Sequence, residues 1–99
     1  MTTELDLERL RSEIDDIDTK ILDLVARRIA AVIEIGKYKR VRGLPVYDAT
    51  RERQVLARLM QNAPAGLDPQ VVRRVFERII DESRGIEHHE ATHHEPSKT

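Results

Sequence analysis

The stretch LERLRSEIDDIDTKILDL, residues 7–24, decides the fold. Its apolar residues fall at Leu7, Leu10, Ile14, Ile17, Ile21 and Leu24, in alternating steps of three and four. That spacing lines one face of an α-helix and fits no strand, where every second side chain shares a face. The pattern resumes at Ala31, Ile35 and Tyr38, so it predicts one helix from about Asp6 to about Arg42, about 55 Å long. A compact chain of this size has a radius of gyration of about 13 Å, so the helix would overhang a monomer and leave apolar surface wet. A partner chain is the simplest cover.

Glycine and proline punctuate the rest. After Gly43 and Pro45, a second helix is expected to start behind Asp48 as N-cap and carry Val55, Leu56 and Leu59 to about Asn62. Pro64 and Gly66 break it. Asp68-Pro69, a cap followed by a first-turn proline, opens a third helix whose stripe is Val72, Val75, Phe76, Ile79 and Ile80. Gly85 either ends this helix or lies within it. The expected organisation is all-α, with three helices in residues 1–87 and a polar, His-rich disordered tail in residues 88–99.

Composition narrows the function classes. The chain has 99 residues, 35% of them charged, and no cysteine, which excludes a disulfide framework, a thiolate nucleophile and a Cys-based zinc site. The charged opening MTTELDLERLRSEIDD lacks a signal-peptide core, and no segment reaches the roughly 20 apolar residues of a membrane span. A cytoplasmic protein is expected. A net charge of -1 and only three aromatic residues argue against nucleic-acid binding, and with no apolar span no membrane partner is expected. His88, His89, His93 and His94 read as a solvated tail rather than a metal site, so neither a metal nor a cofactor is expected.

Charges are segregated, with eight acids against three bases in residues 1–25 and eight bases against three acids in residues 26–53. Matching to the helix macrodipole explains most of them. It does not explain Arg28, which stands where the next step of the seam from Leu24 falls. Lys39, eleven residues on, returns to within about 20° of the same direction and lies about 16 Å along the axis. Both cations therefore face inward. Arg11 lies about 25 Å before Arg28 on the same helix, too far to share one small ligand unless a second copy pairs antiparallel. On the second helix, Asp48, Arg51 and Glu52 share a face through i+3 and i+4 spacings. On the third, the buried stripe leads on to Ser83 and Glu87. Solvated ion pairs and a frayed helix end would account for these last two groups separately. Together the cations, carboxylates and hydroxyl describe a pocket for a small dianion bearing a neutral polar group. No nucleophile stands beside a base, since Ser83 has no histidine near it in helical register.

LRSEIDDIDTKILDLVARR, then IGKYK, then LPVYDATRERQVL, then FERIIDES resemble the all-helical chorismate mutases of the bacterial monofunctional and bifunctional type, over roughly residues 7–87. V-Y-D-x-x-R-E-R at its distance from I-G-K-x-K is the specific part. The resemblance implies an intertwined homodimer with two equivalent sites, each completed by an arginine of the other chain. It also implies the Claisen rearrangement of chorismate to prephenate, within aromatic amino acid biosynthesis, without nucleophile, metal or cofactor. By matching positions, Arg28 and Arg11 of the partner chain would hold the two carboxylates of chorismate, assisted by Ser83 and Arg51. Lys39 would donate to the ether oxygen, and Asp48 and Glu52 would fix the ring hydroxyl.

Glu87 departs from the bacterial pattern, where a glutamine gives the ether oxygen its second donor, and resembles the fungal one. A carboxylate cannot donate, so Glu87 would have to carry a proton, and activity would decline as pH rises, with a flatter profile in Glu87→Gln. Two rival enzymes fit the same scaffold: an isochorismate-pyruvate lyase and a 4-amino-4-deoxychorismate mutase. Asp48 and Glu52 could accept from a hydroxyl or, more readily, from an ammonium. A non-catalytic helical dimerisation module is the rival from another class. A regulatory partner enzyme is also compatible with a chain of this size.

Overall fold

The computed structural model describes residues 4–93 and contains three helices: α1, Glu4–Val41; α2, Ala49–Gln61; and α3, Pro69–His93. The punctuation read from the sequence corresponds to real caps. At the end of α1, Gly43 adopts a left-handed φ of 67°, Gly43 N–H donates to the Arg40 carbonyl at 3.1 Å, and Leu44 N–H donates to the Lys39 carbonyl at 2.8 Å. This pair of bonds is the Schellman closure, and it needs a residue without a Cβ at its left-handed position. Pro45 then prevents the helix from resuming. Asp48 caps α2, its Oδ1 accepting from Arg51 N–H at 2.9 Å. Asp68 caps α3, accepting from Gln70 N–H at 2.8 Å, with Pro69 in the first turn where no intrahelical donor is required.

α3 packs against both α1 and α2, and all three helices lie in one thin layer of 62 × 36 × 14 Å. A single helix with its side chains is already about 10–12 Å across, so this chain has no second layer against which to close a core. Its radius of gyration of 18.2 Å, against about 13 Å for a compact chain, has the same origin. Among the described residues only Val55, Val72 and Ile80 are buried apolar side chains. The seam that decided the fold is bare, with Leu7, Leu10, Ile14, Ile17, Ile21 and Leu24 each between 40% and 57% exposed.

Two details differ from the sequence reading. On the second half of α1, Arg28, Ala31, Val32, Ile35, Gly36 and Lys39 meet the cavity beside α3, while Tyr38 lies off it and is 55% exposed. A 3-4 alternation averages 3.5 residues per turn, so a straight helix of 3.6 drifts about 20° per heptad, and by the end of α1 Lys39 rather than Tyr38 meets the cavity. The third helix also passes through Gly85 without a break and continues to His93, so the segment read as a tail from His88 begins as helix. Residues 94–99 lie outside the described residues.

Candidate active site

The C-terminal half of α1, the N-terminal end of α2 with the preceding loop, and the last turns of α3 enclose a cavity of about 560 Å³. Arg28, Lys39, Asp48, Arg51, Glu52, Ser83 and Glu87 all line it. Four elements of sequence, separated by up to 59 positions, thus supply seven of the eight residues singled out above. The eighth, Arg11, is exposed on the far half of α1 and lies outside this cavity.

Each side chain is held by a specific contact. Ser83 is 2% exposed; its hydroxyl donates to the Ile79 carbonyl at 2.6 Å and accepts from Arg28 Nη1 at 3.4 Å. The serine therefore orients the guanidinium, leaving the remaining N–H groups of Arg28 for a ligand. Lys39 Nζ donates to the Val46 carbonyl at 3.3 Å, which ties α1 to the 42–48 loop and still leaves two ammonium protons. Asp48 commits Oδ1 to the α2 cap. Four cations, Arg28, Lys39, Arg51 and Arg84, face three carboxylates, Asp48, Glu52 and Glu87, in one cavity, a balance that favours an anionic ligand.

Glu87 is 4% exposed and belongs to the pocket, because α3 runs on through Gly85. Its neighbour was not foreseen: Arg40 Nη2 donates to both carboxylate oxygens, to Oε2 at 2.7 Å and more closely to Oε1. As placed, both of its oxygens accept charge-assisted hydrogen bonds from one guanidinium nitrogen. It rests on the backbone of α1 at Gly36, where an added Cβ would lie 2.5 Å from Oε1 and 2.8 Å from Cδ. A glycine in mid-helix costs about 1 kcal/mol relative to alanine, and here the close approach of Glu87 gives the reason for it.

Arg84 also escaped the sequence reading. It donates to Glu52 Oε1, lies with Cζ 4.6 Å from the centre of the Tyr47 ring, and has Nη1 3.7 Å from Asp81 Oδ1. The hydrogen bond to Glu52 is the main cause that raises the Arg84 pKa above its ordinary value, with the charges of Glu52, Tyr47 and Asp81 adding and partial burial opposing. Such a raised cationic pKa contributes stability below the ordinary value and loses it only at more alkaline pH, so Arg84 stays charged at any working pH. Local sequence held no signal for Arg40 or Arg84, since their partners lie 47 and 32 residues away. Gly36, an interior helical glycine between Ile35 and Lys37, was the one legible hint. His88 also lines the cavity, against its reading as part of a solvated tail.

Fold and cavity define an elongated helical protein with a cation-rich pocket between α1, α2 and α3 and a bare apolar seam beyond it. Comparison with known proteins makes this specific. Residues 10–88 match the family model for chorismate mutase type II, and the chain belongs to that family. It is 40% identical over 84 residues to the bifunctional chorismate mutase/prephenate dehydratase of Escherichia coli K12, an alignment covering 84% of this chain and 22% of that protein. The chain spans about a fifth of the length of the first curated relatives it matches, a T-protein of Enterobacter agglomerans among them. It is 35% identical over 88 residues to a 4-amino-4-deoxychorismate mutase of Streptomyces venezuelae, covering 88% of this chain and 85% of that one. A solved chorismate mutase from Thermus thermophilus superposes with a TM-score of 0.79 at 34% identity, covering 83% of this chain and 93% of that chain. No helix among the described residues is long and apolar enough to cross a membrane.

Proposed function

We propose that the chain converts chorismate to prephenate as a homodimer, with each pocket completed by Arg11 of the other copy. The observation that carries this reading is the convergence of Arg28, Lys39 and Arg51 on one cavity while the apolar seam bearing Arg11 stands bare. Antiparallel pairing of two α1 seams would cover that apolar surface and bring Arg11 toward the second chain's Arg28. A cytoplasmic location goes with this reading.

The rearrangement is pericyclic: the ether C–O bond breaks as a C–C bond forms, with no proton transfer and no covalent intermediate on the protein. Catalysis reduces to two tasks. The flexible dianion must be held in the chair in which the bonding carbons meet, which Arg28, Arg51 and the second copy's Arg11 accomplish by gripping its carboxylates, with Ser83 fixing Arg28. Partial negative charge on the ether oxygen must then be stabilised, and Lys39 is the donor for it. With Glu87 engaged by Arg40, Lys39 carries this second task alone. Glu52 accepts from the ring hydroxyl.

The test is the loss of chorismate absorbance with purified protein. Arg28→Ala is expected to lower kcat/KM by about 10³-fold, the scale for removing a charged partner of a bound anion. Mixing inactive Arg11→Ala and Arg28→Ala chains should restore about a quarter of wild-type activity: half the dimers are mixed, and each has one intact site. Wild-type protein that turns over neither chorismate nor its 4-amino analogue would return the chain to a non-catalytic dimerisation module, and an Arg28→Ala variant as active as the wild type would remove Arg28 from the site. The resemblance to the Streptomyces venezuelae protein favours one second reading, an amino rather than a hydroxyl ring substituent on the substrate.

A further inference from the structure

In the reading proposed above Glu52 accepts from the ring substituent, so the charges around it bear on which substituent the pocket takes. A free carboxylate there would attract an ammonium more strongly than a hydroxyl. Glu52 is not free. Its Oε1 accepts from Arg84 Nη2, and the guanidinium is itself held from three sides, by Glu52 on α2, Tyr47 on the loop and Asp81 on α3. The other acid of this group, Asp48, has one oxygen committed to the cap of α2, at the positive end of that helix. Lys39 from α1, Arg51 from α2 and Arg84 from α3 line the same cavity. A substrate ammonium would enter among three cations, with Glu52 already paired to one of them. Oε2 of Glu52, by contrast, still has lone pairs with which to accept from a neutral hydroxyl.

We propose that Arg84 is a specificity-determining positioning residue: by pairing with Glu52 it sets the pocket for a hydroxyl-bearing ring and against an ammonium-bearing one. The inference rests on the mutase reading above and decides between its two substrates. Arg84 acts through Glu52 and takes no part in bond making.

The experiment measures kcat/KM for chorismate and for 4-amino-4-deoxychorismate with the wild type, Arg84→Leu, Arg84→Lys and Glu52→Gln. The wild type should prefer chorismate. Arg84→Leu should shift the ratio toward the amino substrate by about tenfold, the scale of removing one unit charge several ångströms away in a partly wet site. Arg84→Lys should hold the ratio within about threefold of the wild type, because the charge is retained. Glu52→Gln should move the ratio the opposite way, and adding Arg84→Gln to it should bring the ratio back toward the wild type, so a second Arg84 variant tests the inference even where Arg84→Leu fails to fold; a ratio that Arg84→Gln does not move in the Glu52→Gln background overturns it. A wild type that prefers the amino substrate, or a ratio unmoved by a folded Arg84→Leu, overturns the role of Arg84 while leaving the mutase reading intact. A wild type that turns over neither substrate overturns the mutase reading itself.

Discussion

The two halves of α1 share one helix and the same heptad-like spacing, yet they do different work. From Leu7 to Leu24 every inward position is Leu or Ile, and in the single chain each stays at least 40% exposed. From Arg28 to Lys39 the residues that line the cavity are Arg28, Ala31, Val32, Ile35, Gly36 and Lys39, so two cations and a glycine interrupt the apolar face. An uninterrupted apolar stripe asks for another apolar stripe, whereas a stripe broken by cations and a glycine asks for a ligand and a close-packed carboxylate. The comparison teaches that the polar interruptions, rather than the hydrophobic pattern, mark where the bare apolar seam ends and the cavity begins.

The largest test of this contrast is a charge placed in the bare half. Ile17→Asp puts a carboxylate into the proposed dimer seam, where burying an unpaired charge costs several kcal/mol, on the order of 3–5. Sedimentation should show dissociation at micromolar concentration, accompanied by loss of activity as each pocket loses the other copy's Arg11. A dimeric, active Ile17→Asp protein would break the division of the helix.

A smaller effect is expected in the second half, at Arg40. Replacing it in Arg40→Met strands the carboxylate of Glu87, which is 4% exposed, but Arg40 itself is partly solvated, so about 2 kcal/mol of stability should be lost in denaturant unfolding. The same ion pair makes parallel pH–rate profiles the expected result for the wild type and Glu87→Gln. A wild-type decline with rising pH that is absent from Glu87→Gln would instead show that Glu87 works as a proton donor.

The smallest effect contrasts two glycines. At Gly85 an added Cβ meets nothing within 4 Å, so Gly85→Ala should raise stability by about 0.5–1 kcal/mol through helix propensity alone. At Gly36 the same change drives a methyl group into Glu87 and should lower both stability and activity. Equal behaviour of the two variants in thermal melts would remove the role assigned to Gly36.

Much of this was legible because it is local. Helix spacing, the caps at Asp48 and Asp68, the Gly43 closure and the inward direction of Arg28 and Lys39 are set within one or two turns of chain, where 3.6 residues per turn fixes which side chains share a face. Even the expectation of a second chain followed from the length of one apolar stripe. What tertiary structure alone decided is who meets whom across the layer: Arg40 with Glu87, Arg84 with Glu52 and Tyr47, Ser83 with Arg28. Those partners are separated by 32 to 55 positions, and their meeting depends on how α3 lies over α1 and α2. That placement comes from the sum of many weak packing contacts over three helices, which no single spacing in the sequence encodes.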